Sequence, residues 1–150
     1  MKLISWEIKN IEAYTVCQTN MSYHGYDNEE VLQNRLSLAN YFNTDLNHMV
    51  APRQQHTTNF RQVSLKDGGR GMLSKDDAFE NCDALYTRDK DLWLWTFHAV
   101  CCPVLLYCED QNIVAAIHSG WKGTVNEIVG KVAKHLISNE KCHPDSIYAY

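Results

Sequence analysis

Residues 112–137, NIVAAIHSGWKGTVNEIVGKVAKHLI, decide the fold. The apolar run from Ile113 to Ile117 reads as a buried strand that delivers His118 to its end. Gly120 and Gly123 then mark a tight turn. Beyond it Val125, Ile128, Val129, Val132, Ala133, Leu136 and Ile137 recur at i, i+3, i+4, i+7, the spacing of a helix with one apolar face. Thr124 and Glu127 stand in a T-x-x-E pattern, which predicts a capping box at the start of that helix. The order strand, turn, helix puts His118 at the carboxyl end of a strand, where ligands collect in α/β proteins. The N–H groups of the following helix and the charge of Lys122 favour an anion nearby.

Working outward, strands are predicted at 83–87, 92–99, 103–108 and 112–118, with Asp110-Gln111 turning between the last two. Upstream, 13–18 reads as a strand. Residues 28–42 read as a helix on Val31, Leu32, Leu36, Ala39 and Phe42, capped by Asp27 or Asn28. Two extended pieces follow at 49–56 and 60–65. The polar stretch 66–81, with Gly68, Gly69 and Gly71, is expected to be a flexible loop of a length that often serves function. A last strand is expected over 146–150, where the sequence stops with no closing turn. Repeats and low-complexity tracts are absent, so one domain over residues 1–150 is expected. Its class is α+β, with mixed β-sheets packed against helices.

The composition narrows the function classes. Apolar residues make up 45% of the 150, enough for a real core. A net charge of -4 offers no footprint for nucleic acid or an anionic membrane. No apolar run approaches the roughly 20 residues that span a bilayer. The N-terminus begins like a leader peptide, but Glu7, Lys9, Asn10 and Glu12 interrupt any apolar region. A cytoplasmic location is expected, and with it free thiols for all 6 cysteines. Cys17, Cys82, Cys108 and Cys142 read as small buried hydrophobes.

Three residues carry candidate chemistry. Cys101 precedes Cys102 and Pro103, and the proline must turn or bulge the backbone, which can expose the thiol at a strand end. His118 closes the next strand. His56, in the segment RQQHTT, follows an extended run. Together they supply N, S and N donors, a set that zinc accepts with a fourth position left open; copper accepts it too. The same residues also read as a thiol nucleophile with a histidine base. Spacing leaves both readings open. His98, three residues before Cys101, reads as a partly buried strand histidine.

Several segments together resemble one family. CCPVLLYCEDQNIVAAIHSGWKGT resembles the A-D-C-x-P-V-L-L … V-A-A-x-H-A-G-W-R-G-T signature of the laccase-domain (YfiH-like) family, also described as polyphenol oxidase and as purine nucleoside phosphorylase. NMSYHGYDNEEVLQNR resembles its N-L-S-x-H-V-G-D … V-x-x-N-R stretch, RQQHTTNF its Q-V-H-G-T segment, and CDALYT its A-D-A-L-V-T strand. The resemblance runs from about residue 13 to residue 150. It implies a YfiH-like sandwich and a metal, zinc by expectation and copper as the alternative, held by His56, Cys101 and His118. It implies phosphorolysis of adenosine, inosine and methylthioadenosine, and deamination of adenosine, with these three residues catalytic. Purine nucleoside and phosphate are the implied partners, and a homodimer fits the family. Arg35 and Lys122 become candidates for phosphate, and Asn20 and His24 for the pocket wall.

The sequence also departs from the family. Val100 replaces the aspartate beside the cysteine, so a carboxylate that orients a ligand would be lost there. Lys122 replaces an arginine and loses the bidentate fork. Family members continue past the position of Tyr150, so a missing C-terminal part is expected. A Cys–His thiol hydrolase, a copper-dependent phenol oxidase and an inactive scaffold or partner protein stand as competing readings of the same residues.

Overall fold

Antiparallel pairing of β7 (Cys102–Cys108) with β8 (Ile113–Ser119) forms the centre of the molecule, in a computed structural model that describes residues 1–23 and 28–150. The register sets Cys102 against Ser119, Pro103 against His118 and Cys108 against Ile113. Asn112, in the left-handed region at φ 51°, closes the turn that Asp110-Gln111 predicted. β5 (Ala84–Thr87) pairs antiparallel with the other edge of β8, and β4 (Phe60–Gln62) runs parallel to β5. β9 (Ile147–Ala149) pairs with β7, giving the order β4-β5-β8-β7-β9.

Alternation along β8 explains the layering. Ile113, Ala115 and Ile117 point to one face, which α3 (Ile128–Ser138) covers with Ile128, Val132 and Leu136. All three helix side chains are fully buried, and sealing a residue such as Leu136 contributes about 2 kcal/mol. On the other side Leu85 of β5 joins Val50, Val63, Phe79, Cys82 and Leu92. A third cluster centres on Met49 and Met72, with Ala39 of α1 (Asn28–Tyr41) and Trp93, Trp95 and Phe97 against it. The mixed α+β class read from the sequence holds.

Four local expectations differ from the structure. The helix after β8 is two pieces, α2 (Trp121–Val125) and α3, joined at Glu127, which takes φ 59°. The T-x-x-E capping box therefore does not form. The first turn already starts at Trp121, and the Thr124 hydroxyl donates to the Gly120 carbonyl at 3.0 Å instead. Residues 2–8, to which the sequence reading assigns no element, form strand β1 (Lys2–Ile8), which makes a hairpin with β2 (Ile11–Cys17) through a turn at Asn10, φ 52°. Only Trp93–Leu94 of the 92–99 run pairs as a strand, β6, beside β3 (Met49–Val50). Beyond it the Gln54 side chain brackets Phe97, accepting from its N–H and donating to its carbonyl, both at 2.7 Å.

The glycines of 66–81 serve close approach. Gly71 sits at φ 71°, and a Cβ there would strike the Ala51 carbonyl. Its neighbours are tied down by Gly69 N–H to Met49 O at 2.8 Å and Ala51 N–H to Arg70 O at 3.0 Å. The cysteines also depart from the all-thiol expectation. Cys108, at the end of β7, is joined to Cys142, in the loop after α3, because those segments converge with their Cα atoms 6.2 Å apart. Cys17, Cys82, Cys101 and Cys102 are free.

Candidate metal centre

β8 ends at Ser119 and carries His118 almost out of solvent, 3% exposed. The bend before β7 brings Cys101 beside it, half-buried. A turn after β3 adds His56, whose backbone takes φ 59°. The candidate ligand atoms of His56, Cys101 and His118 all lie within 4.8 Å of one another. Cys101 Sγ is 3.8 Å from His56 Nε2, and the His56 and His118 rings meet edge to face at 5.0 Å. The three sequence-predicted ligands thus converge from three separate segments.

One residue that sequence reasoning gave no role organises them. Asp83, wholly buried just before β5, accepts from His118 Nδ1 at 2.8 Å. A carboxylate only accepts, so Nδ1 carries the proton and Nε2 keeps its lone pair for a metal. Asp83 also accepts from the backbone N–H groups of Gln55 (3.2 Å), His56 (3.0 Å) and Thr57 (2.7 Å), and from the Thr57 hydroxyl at 2.7 Å. Burial pushes its carboxyl up, but these hydrogen bonds outweigh burial and bring it down to about 2. The signal was present in CDALYT, where an acidic residue opens an otherwise apolar strand.

Gly120 lets the imidazoles come together. A Cβ at this position would lie 2.5 Å from His56 Cδ2 and 3.3 Å from His118 Cε1. Val100, in contrast, is 98% exposed. A side chain there faces solvent, and the carboxylate that orients His118 comes from Asp83 instead.

The centre opens into a cavity of about 1280 Å³, whose wall includes Asn20, Arg35 and His98 as well as the three candidate ligands. Asn20 Oδ1 accepts from Ser22 N–H at 3.1 Å, while its Nδ2 is buried with no hydrogen-bond partner among the described residues. Arg35, 1% exposed, sends four N–H bonds to backbone carbonyls: Nε and Nη2 to Met21, and Nη1 to Gly71 and Met72. Its guanidinium lies 4.1 Å from the Tyr23 ring, and burial lowers it to about 10. Four of its five N–H groups are thus committed to backbone carbonyls among the described residues, and the Tyr23 side chain also hydrogen-bonds to it. His98, its ring 5.4 Å from that of His118, is pushed down to about 4 by burial and by His118, so it is neutral at neutral pH. Lys122 is not brought to this cavity. It is exposed on α2 with its ammonium 5.6 Å from the Trp121 ring. His24 lies outside the described residues.

The donor set fits a metal ion: two imidazoles, one thiolate and a carboxylate that holds one imidazole in the right tautomer. No helix among the described residues is long and apolar enough to cross a membrane.

Comparison with known proteins gives the family of the chain. The chain is 34% identical over 131 residues to purine nucleoside phosphorylase YlmD of Bacillus subtilis (strain 168), covering 87% of this chain and 47% of that protein. It is 34% identical over 106 residues to purine nucleoside phosphorylase SACOL1200 of Staphylococcus aureus (strain COL), covering 71% and 40%. The crystal structure of the Bacillus licheniformis hypothetical protein YfiH superposes with a TM-score of 0.84 at 32% identity, over 87% of this chain and 49% of that one. YlmD from Geobacillus stearothermophilus gives 0.84 at 30% identity, over 87% and 48%. The chain therefore spans about half the length of these relatives. Residues 10–150 match the family described as multi-copper polyphenol oxidoreductase laccase, and the chain belongs to that family, in which its structural neighbours are the YfiH-like proteins.

Proposed function

We propose that this chain carries the metal centre of a purine nucleoside phosphorylase that also deaminates adenosine. The observation that carries the reading is the convergence of His56, Cys101 and His118 within 4.8 Å, with Asp83 behind His118. The names of the relatives support the substrate class. Zinc is the preferred metal and copper the alternative. Zinc held by His56, Cys101 and His118 would supply Lewis acidity and make water a better nucleophile.

This chain's own groups bind and orient. Asp83 keeps the proton on His118 Nδ1 and pins the 55–57 turn that presents His56. Asn20 Nδ2 is a donor for a ring nitrogen or a ribose oxygen. His98, uncharged, lines the wall without repelling a cation. In phosphorolysis of inosine, adenosine or methylthioadenosine, the bond from the base to C1′ breaks and a phosphate oxygen joins C1′, releasing free base and the (methylthio)ribose 1-phosphate. Arg35, on the cavity wall, is one candidate contact for phosphate. Lys122 would meet phosphate only from the solvent side of α2. The same reading places the protein in the cytoplasm as a homodimer, with no nucleic-acid or membrane partner.

The test is turnover of inosine and adenosine by zinc-loaded protein, with and without phosphate. Phosphate-dependent release of free base supports phosphorolysis, and ammonia release from adenosine supports deamination. Absence of both from folded, zinc-loaded protein sinks the reading. A second reading rests on the 3.8 Å approach of Cys101 Sγ to His56 Nε2, which also suits a thiol nucleophile and its base. Activity that persists after chelation and is lost in Cys101→Ala would favour that thiol hydrolase.

A further inference from the structure

A second cluster of metal-ligating side chains lies at the opposite end of β7. Cys101 sits just before β7 and Cys108 ends it, so the two are separated by about 20 Å of extended chain. Cys108 is fully buried, Cys142 is 2% exposed, and the two are joined. Asp110 Oδ1 stands 2.9 Å from Cys108 Sγ, and the Cys108, Cys142 and Asp110 donor atoms all lie within 4.8 Å of one another.

The surroundings hold these donors in place. Asp110 Oδ2 accepts from the His143 backbone N–H at 3.0 Å and from Gln111 Nε2 at 3.4 Å, which leaves Oδ1 turned to the sulfur. The Cys142 N–H donates to the Leu136 carbonyl at 3.0 Å, fixing the loop after α3. In the disulfide, Cys108 Sγ has no proton to donate to Asp110 Oδ1. An acceptor oxygen that close to sulfur gains nothing from the oxidised pair. Reduction leaves two buried thiols beside a carboxylate, and a divalent cation that displaces their protons compensates the two buried thiolates. Asp110 itself is exposed, so a cation has access and a fourth ligand position stays open to water.

We propose that Cys108, Cys142 and Asp110, once reduced, form a second metal site for a thiophilic divalent cation such as Zn²⁺, separate from the His56–Cys101–His118 centre. The chemistry balances with a small thiol as reductant. Two R–SH become R–S–S–R, and each cysteine sulfur gains a proton and one electron. Binding of the cation then releases those two protons to solvent. The ion replaces the disulfide as the tie between the end of β7 and the loop after α3, so the joint survives in either redox state.

Cobalt(II) is the probe, because thiolate–cobalt bonds give a near-ultraviolet charge-transfer band. The full chain carrying Cys101→Ala is reduced with a phosphine under argon, desalted and titrated with Co²⁺. The substitution removes the thiolate of the first centre, so a stoichiometric band reports the second. We expect that band in Cys101→Ala. We expect its loss when Cys108→Ser or Cys142→Ser is added, and its loss when the protein is reoxidised before titration. Asp110→Asn keeps both sulfurs and should weaken Co²⁺ binding, which covers the case in which a serine variant does not fold. Absence of the band from reduced Cys101→Ala overturns the proposal, as does a band that persists in the serine variants. Each outcome is independent of nucleoside turnover and of metal at the first centre.

Discussion

His118 donates from Nδ1 to Asp83 at 2.8 Å, with both side chains almost sealed from solvent. The same carboxylate collects the backbone N–H groups of Gln55, His56 and Thr57. One buried acid thus sets the tautomer of one imidazole and the backbone of the other. Asp83→Asn should lower metal affinity about 10–100-fold while the sheet stays folded. Competition with a chromogenic chelator measures this, and an affinity equal to wild type would remove Asp83 from the metal's support.

Gly120 is a steric requirement of the centre. Its φ of -71° is open to any residue, so Gly120→Ala does not strain the backbone. The added methyl instead meets the His56 ring at 2.5 Å. The expected result is loss of metal binding with a change in unfolding free energy of about 1 kcal/mol or less. Metal analysis of the purified variant beside a urea titration reads both quantities. Full metal occupancy would show that His56 moves aside at no cost.

Arg35 separates a structural role from a phosphate-binding one. Arg35→Met removes the Arg35 bonds to the carbonyls of Met21, Gly71 and Met72, of which Met72 keeps the Tyr23 hydroxyl as a donor, and should cost about 3 kcal/mol or more. Arg35→Lys restores the charge but not the fork, so it should recover little of that stability. A urea midpoint unchanged in both variants would contradict the role of Arg35 as the strut of this wall.

The acid limb of stability follows from Asp83. Its carboxyl is held at about 2 in the folded protein against an ordinary 3.8, so it stabilises the fold fully above about pH 4 and loses that contribution as pH falls through about 2. The contribution is roughly 2 kcal/mol. Metal-free wild type and Asp83→Asn should therefore differ in melting temperature at pH 6, and that difference should shrink steadily below pH 4. A difference that stays constant down to pH 2 would show that the Asp83 carboxylate is not titrating in this range.

What the sequence reveals depends on how far a signal reaches along the chain. β8 and the apolar face of α3 are legible because Ile113 to Ile117 and Ile128, Val132 and Leu136 meet a core directly. The ligand trio is legible through short motifs around His56, Cys101 and His118. β1 is hidden because most of its residues are exposed, so no alternation marks a face. The run 92–99 misleads because Trp95 and Phe97 are apolar for packing around Met49, and the Gln54 side chain takes the place of a neighbouring strand. The break at Glu127, the work of Asp83 and the Cys108–Cys142 link depend on partners 26 or more residues away or on a change of direction between elements. No local pattern carries them.

The pairing of Pro103 with His118 has a consequence for folding itself. Side chains alternate across a strand, so sliding β8 by one residue would turn His118 toward α3 and send Ile117 toward the cavity. A misaligned sheet would lose that packing on α3, and it could not gather two imidazoles and a thiolate either. A cation that binds only the native alignment lowers that state alone by mass action. The metal would then proofread the sheet, adding its binding energy to the alignment that the core already selects.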